Sequence, residues 1–179
     1  ARPSLLESVR GKIPERYLSH LPRSFDIVGE VATVELPSEL DEFSSIVGRG
    51  IMEANPHVRL VIRKSGDVSG KYRTRQFETI AGSGGTETWH REYSCVLHLD
   101  IAKVYFNPRL SHERMRVAQQ VRAHETVLDM FAGVGPYSIL IAKNQPTSRV
   151  YSIDINPDAF RYLKENILAN GVADRVIPI

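Results

Sequence analysis

The chain of 179 residues is 42% hydrophobic and 25% charged, the balance of an ordinary globular protein with room for one medium domain or two small ones. A formal net charge of +2 permits a nucleic-acid partner without arguing for one. A lone cysteine, Cys95, excludes an intramolecular disulfide and a Cys-rich zinc site, and no apolar run reaches the roughly 18 residues of a membrane span.

Residues 3–22 ("PSLLESVRGKIPERYLSHLP") read as mostly helical, with Leu5, Leu6 and Val9 in one apolar cluster and Tyr17, Leu18 and Leu21 in another. Gly11 to Pro14 break the run. "FDIVGEVATVEL" alternates toward a strand ending at Pro37-Ser38. "SELDEFSSIVGRGIMEAN" predicts a helix with Ser38 as N-cap, Asp41 three residues on, and Pro56 beyond its end. "HVRLVIRK", "YRTRQFETIAG", "TETWHREYS" and "CVLHLDIAKVYF" follow as β segments, with clear turns at "SGDVSGK" and "GSGGTE". Residues 1–107 are therefore expected to form an α+β domain rich in antiparallel strands.

From Pro108 the pattern changes. "SHERMRVAQQVR" predicts a helix capped by Ser111. "TVLDMFAG" (strand), "PYSILIAKN" (helix), "RVYSIDIN" (strand), "PDAFRYLKENILANG" (helix) and "RVIPI" (strand) then alternate, the pattern of a parallel sheet with right-handed crossovers. The expected fold is α/β, with residues 108–179 forming a linker helix and about half of a doubly wound domain. Because the chain opens on Ala1 and stops where a strand begins, a piece of a longer chain is expected.

In "DMFAGVGPYS", Gly133 and Gly135 stand between an apolar strand and a helix, where glycine lets the backbone turn tightly and approach a ligand. A dinucleotide fingerprint wants a third small residue at 138, where Ser138 stands. Asp129, at the end of the strand, repels a pyrophosphate but attracts the cationic amino group of S-adenosylmethionine. Asp154 ends the next strand, 19 residues beyond Gly135, where a carboxylate accepts hydrogen bonds from ribose hydroxyls. The bland alternative is a helix-entry turn beside a solvated strand end. Both carboxylates fall at the carboxyl edge of the sheet, which favours a ligand.

"DMFAGVGPYSILIAK", "YSIDINPDAFRYLKENILANGV" and "HREYSCVLHLDIAKVYFNPRLSHERMRVA" closely resemble the tRNA (guanine-37, N1)-methyltransferases of archaea and eukaryotes, the Trm-five type. The resemblance runs from about Val58 onward and is most specific at "KVYFNPRLSHER". It implies a Rossmann-like, S-adenosylmethionine-dependent methyltransferase domain, of which only the first half is present, preceded by an α+β domain that helps to bind tRNA and the target base. A relative with the same domain pair, the wybutosine-pathway aminocarboxypropyl transferase, lacks the Pro-Arg-Leu found here after Phe106 and Asn107. The resemblance also places an Asn-Pro-Pro motif beyond Ile179.

Methylating guanine N1 calls for a carboxylate to take the N1 proton and a cation near O6 to stabilise the developing charge. The resemblance puts the base at Glu113 and the cation in "KYRTRQFE", at Arg73 by spacing, with Arg75 as the fallback. By position alone Glu113 reads first as a helix-dipole or capping carboxylate. The likeness also places Arg114 and Tyr105 at the cofactor; the alternatives are a solvated helix arginine for Arg114 and, about as readily, core packing for Tyr105. Phe131 and Pro136 would shape the adenosyl pocket, and Ile155 would face the adenine. His90, Arg91 and Glu92 precede "YSC", where relatives carry Asn-Gly, which leaves the role of that segment open.

Arg59, Arg63, Lys64, Lys71, Arg73 and Arg75, interleaved with Tyr72 and Phe77, form the candidate tRNA-facing segment; solvated strand faces account for about half of such residues. The histidines show no metal-ligand spacing, so no metal is expected. A monomer in a reducing, cytoplasmic setting, without membrane association, completes the expectation. The rivals are aminocarboxypropyl transfer at the same tRNA position, a non-catalytic tRNA-binding module, and a nicotinamide-dependent oxidoreductase. Asp129 and the missing third glycine argue against the last.

Overall fold

The computed structural model describes residues 3–69 and 74–179, which divide into two compact units. The first comprises Ala1–Val68 and Arg75–Thr86, and the second Ser69–Thr74 and Glu87–Ile179. The last division along the chain falls between Thr86 and Glu87.

In the first unit, α1 (Leu5–Val9) begins at a capping box in which Ser4 and Glu7 bond reciprocally, and a 3₁₀ turn (Glu15–His20) follows the Gly11–Pro14 break. The alternating run at 25–36 is a hairpin, not one strand: β1 (Asp26–Val28) and β2 (Val31–Val34) pair antiparallel around Gly29, whose φ of 58° makes the bend. Ser38 does not cap the next helix. Pro37 takes the cap position of a 3₁₀ segment (Ser38–Phe43), and α2 (Ser44–Ala54) continues from it. β3 (Leu60–Ser69) then pairs parallel with β2, and β4 (Thr74–Gly82) completes the order β1-β2-β3-β4. The expected antiparallel character holds for β1–β2 but not for β2–β3, because α2 carries the chain back across the sheet before β3 begins. Ala32, Val34, Val47, Ile51, Val58, Val61 and Ile80 form the core between α2 and the sheet.

The second unit opens with the antiparallel hairpin β5 (Glu87–Glu92) and β6 (Cys95–Asp100), closed by Tyr93-Ser94. Tyr93 holds a φ of 48°, a left-handed conformation that a residue with a Cβ adopts at a cost. A 3₁₀ turn (Pro108–Leu110) leads into α3 (Ser111–Gln120). Ser111 is not the cap: the chain already winds at Pro108, and the Asn107 side chain accepts from the Arg109 N–H. Then β7 (Thr126–Asp129), α4 (Pro136–Asn144), β8 (Arg149–Ser152), α5 (Pro157–Ala169) and β9 (Val176–Pro178) alternate, and the three strands pair parallel in the order β7-β8-β9.

The hairpin belongs to this unit because α5 completes its edge. Asn166 accepts from the His98 N–H (2.6 Å) and donates to the His98 carbonyl (3.0 Å). Asn170, one helical turn on, accepts from the Val96 N–H (3.0 Å) and donates to the Val96 carbonyl (2.6 Å). Residues four apart on a helix thus match residues two apart on a strand, and two side-chain amides act as a neighbouring strand for β6. Asn166 also donates to the Val134 carbonyl in the glycine loop (2.9 Å), so the same buried side chain ties the hairpin to that loop.

Candidate cofactor and catalytic site

The site is built where β7 and β8 end. Asp129 closes β7 opposite Ser152, and two residues beyond Ser152 the chain reaches Asp154. The loop leaving β7 is stitched to this edge: the Ala132 N–H donates to the Ile153 carbonyl (2.9 Å) and the Ile153 N–H to the Asp129 carbonyl (2.8 Å). Gly133 and Gly135 both have positive φ, 56° and 92°. At Gly135 a Cβ would also stand 2.7 Å from Leu163 Cδ1, so its bareness lets α4 and α5 close up.

The Gly133 N–H donates to Asp154 Oδ2 (2.7 Å) and the Asn156 N–H to Oδ1 (2.8 Å). Two backbone donors fix the carboxylate, and each oxygen keeps a second lone pair for a ligand hydroxyl. Asn156 caps α5 by accepting from the Asp158 N–H (3.0 Å) and donates to the Lys103 carbonyl (2.9 Å). This draws the 101–107 loop to the end of β8, and the Tyr105 carbonyl lies 3.8 Å from where a Cβ on Gly133 would be. Phe131 is 88% exposed and Ile155 64%, and Tyr105 is exposed as well. Large, exposed apolar and aromatic groups thus flank the two carboxylates, as an adenosyl pocket requires.

Asp129 is half-buried. Burial pushes its carboxyl above the usual carboxylate range; hydrogen bonds from Ser138 and the Phe131 backbone oppose this, and the Asp154 charge adds to it. Two acids within electrostatic reach disfavour a pyrophosphate and favour a cation, and a ribose with free hydroxyls suits Asp154. An adenosyl ligand bearing a positive charge fits these residues; a dinucleotide does not.

Glu113 lies in the first turn of α3, where Arg116 forks onto its carboxylate through Nε (2.8 Å) and Nη2 (2.6 Å). That hydrogen bond holds the Glu113 carboxyl below its ordinary value, and both partners are exposed to solvent. α3 packs against α4, and the Tyr137 phenol there is pushed up by burial while it feels the charges of Arg114, Glu113, Asp129 and Arg116. The candidate base and the cofactor-edge carboxylate thus act on one side chain.

Arg114, which the resemblance places at the cofactor, is buried. It is 2% exposed, donates to Glu92 through Nε (2.5 Å) and Nη2 (2.6 Å), and gives Nη1 to the Asn107 carbonyl (3.1 Å). Its guanidinium also lies 5.0 Å from the centre of the Phe106 ring. Arg114 therefore fixes the Asn107 loop and the hairpin to α3. Arg73 lies outside the described residues, as does the side chain of Arg75.

Four residues of the arrangement carried no prediction: Ser138 and Ser152 behind Asp129, Asn156, and Glu92 as the partner of Arg114. Asn156-Pro157 is a readable cap signal, Asn before a proline at the first helical position. The other three depend on which distant element lies opposite. Among the described residues no group of three or more potential ligands could hold a metal ion, and no helix is long and apolar enough to cross a membrane.

Residues 88–179 match the TRM5/TYW2 methyltransferase domain, and residues 5–86 the TYW2 N-terminal domain. The tRNA (guanine(37)-N(1))-methyltransferase Trm5b of Pyrococcus abyssi is 48% identical over 93% of this chain and 50% of its own length. A solved complex of aTrm5 and tRNALeu, 38% identical, matches with a TM-score of 0.87 over 100% of this chain and 53% of its own. Pyrococcus horikoshii TYW2 in complex with MeSAdo, 31% identical, matches with a TM-score of 0.79 over 100% and 63%. The chain spans about half the length of the curated relatives it matches. The two family matches meet at the boundary where the fold itself divides, and the chain belongs to the TRM5/TYW2 methyltransferase family.

Proposed function

We propose that this chain carries the cofactor edge and the catalytic helix of an S-adenosylmethionine-dependent tRNA methyltransferase that methylates N1 of guanosine 37, acting as a cytoplasmic monomer. The observation that carries the reading is the Asp154 carboxylate, fixed by the Gly133 and Asn156 N–H groups with a lone pair to spare on each oxygen, beside the half-buried Asp129. The cofactor supplies an electrophilic methyl group on its sulfonium. Asp154 takes the ribose hydroxyls, Asp129 faces the cationic amino acid end, and Phe131, Ile155 and Tyr105 exclude water from the adenosyl group. Glu113 leaves Arg116 and accepts the N1 proton as the methyl is attacked. An exposed pair within one helical turn is weak, so this release is easy. Arg73, with Arg75 as the fallback, supplies the charge near O6, and the 1–86 unit contributes to tRNA binding.

A second reading, aminocarboxypropyl transfer to the same nucleotide, draws support from the match of residues 5–86 to the TYW2 N-terminal domain. Calorimetric titration of the full-length protein with S-adenosylmethionine and with NAD, followed by a tRNA modification assay, tests both. Saturable S-adenosylmethionine binding, no NAD binding and a methylated N1 are expected. A product with the mass of an aminocarboxypropyl group selects the second reading; NAD binding, or tRNA binding without S-adenosylmethionine binding, overturns both.

A further inference from the structure

Behind Asp129 lies a chain of two hydroxyls that the proposed reaction does not use. Ser138, on the first turn of α4, donates to Asp129 Oδ2 at 2.7 Å, and Ser152, at the end of β8, donates to Ser138 Oγ at 2.8 Å. Both serines are fully buried. The direction of the chain follows from valence. An ionised carboxylate only accepts, so the single Ser138 proton points at Asp129, and the Ser138 oxygen is left to accept from Ser152. Ser138 stands where a dinucleotide-binding loop has its third small residue, in contact with the sheet, so a side chain that elsewhere only permits close packing is here a hydrogen-bond donor.

We propose that Ser138, backed by Ser152, is a positioning residue for Asp129: it fixes the orientation of the carboxylate and stabilises its negative charge, and so sets the preference of this bend for an adenosyl ligand with a positively charged tail. The inference rests on the S-adenosylmethionine reading above. Burial and the neighbouring Asp154 both work against ionisation of Asp129, and among the described residues the opposing donors are the Ser138 hydroxyl and the Phe131 N–H. An alanine at 138 removes one of the two with little change in volume. It leaves the acid more readily protonated, and a protonated acid has no charge with which to hold a cation.

The test is calorimetry on the full-length wild-type protein and on Ser138→Ala and Ser152→Ala, with two ligands sharing the adenosyl group. S-adenosylmethionine carries the charged tail; 5′-methylthioadenosine is neutral and lacks it. Relative to wild type at the same pH, Ser138→Ala is expected to weaken S-adenosylmethionine binding about tenfold at about pH 6 but no more than about threefold at about pH 8, with 5′-methylthioadenosine within about twofold throughout. Ser152→Ala, which leaves the donor to Asp129 in place, is expected to show the same pattern at about a third of the size, and it carries the test if Ser138→Ala does not fold. Equal losses for both ligands at both pH values, or no loss, would overturn the inference alone. A wild-type protein that binds neither ligand would overturn the functional reading on which it rests.

Discussion

Two arginine–glutamate pairs involve the first two turns of α3, and they differ in almost everything but chemistry. Arg114 reaches Glu92, 22 residues away, and the pair is sealed, with side chains 2% and 7% exposed. Arg116 reaches Glu113 within one helical turn, and both side chains stand about half exposed, at 57% and 43%. Glu113 and Arg114 are adjacent in sequence, so the helix turns them about 100° apart and sends one outward and the other into the unit. A forked ion pair is architecture where its charges cannot reach water, and a releasable clasp where they can. The inward arginine sets the hairpin and the Asn107 loop; the outward glutamate remains available for a proton.

Glu113→Gln is expected to lower the methylation rate by about a hundredfold or more while S-adenosylmethionine affinity stays near wild type, since only the proton acceptor is lost. A rate close to wild type in a single-turnover assay contradicts the base assignment. Glu92→Gln leaves the Arg114 charge buried without its counter-ion and should destabilise the fold by about 3–5 kcal/mol in denaturant titration.

The same pair predicts a pH window. Burial would raise the Glu92 carboxyl, but hydrogen bonds from His90 and Arg114 and their charges outweigh it and hold the group below its ordinary value. A carboxyl depressed in the folded state contributes stability that is fully present above its unfolded value of about 4.3 and is lost as the pH falls through the folded value. Thermal melts at descending pH should therefore show a loss in wild type that Glu92→Gln lacks.

Arg116→Gln is expected to change stability little. Without the guanidinium, the Glu113 carboxyl moves up toward its ordinary value, so the acid limb of the rate–pH profile should move to higher pH. An unmoved limb would mean that the clasp does not govern the base. The smallest effect concerns the turn that follows Glu92. Tyr93→Asn relieves a left-handed conformation and should stabilise the fold by about 0.5–1 kcal/mol in the same denaturant titration.

The parts of this chain that were legible are those governed by neighbours in sequence. α4 runs over Pro136–Asn144 as the "PYSILIAKN" pattern predicts, because the glycine bend before it and the apolar spacing within it are local signals. The strand, glycine bend and helix that carry Asp129, Gly133 and Gly135 are readable for the same reason, since they follow one another. What was misread depends on pairing at a distance. Nothing near Val31–Val34 announces that its partner lies parallel beyond a helix. The placement of the hairpin is not legible because the Asn166 and Asn170 side chains that complete it come from α5 and its C-cap. The burial of Arg114 is not legible because its partner is a glutamate on that hairpin. Ser138 was noticed only for its size, because its acceptor is a strand end nine positions earlier in the chain.

The central claim is that Asp129 and Asp154 grip a sulfonium-bearing adenosyl ligand at the Gly133–Gly135 bend. A crystal structure of the full-length protein with S-adenosylmethionine tests it most directly. Ribose hydroxyls within hydrogen-bonding distance of Asp154 and the cationic tail beside Asp129 are the predicted result. A ligand bound elsewhere, with the bend empty and both carboxylates facing bulk water, would contradict it.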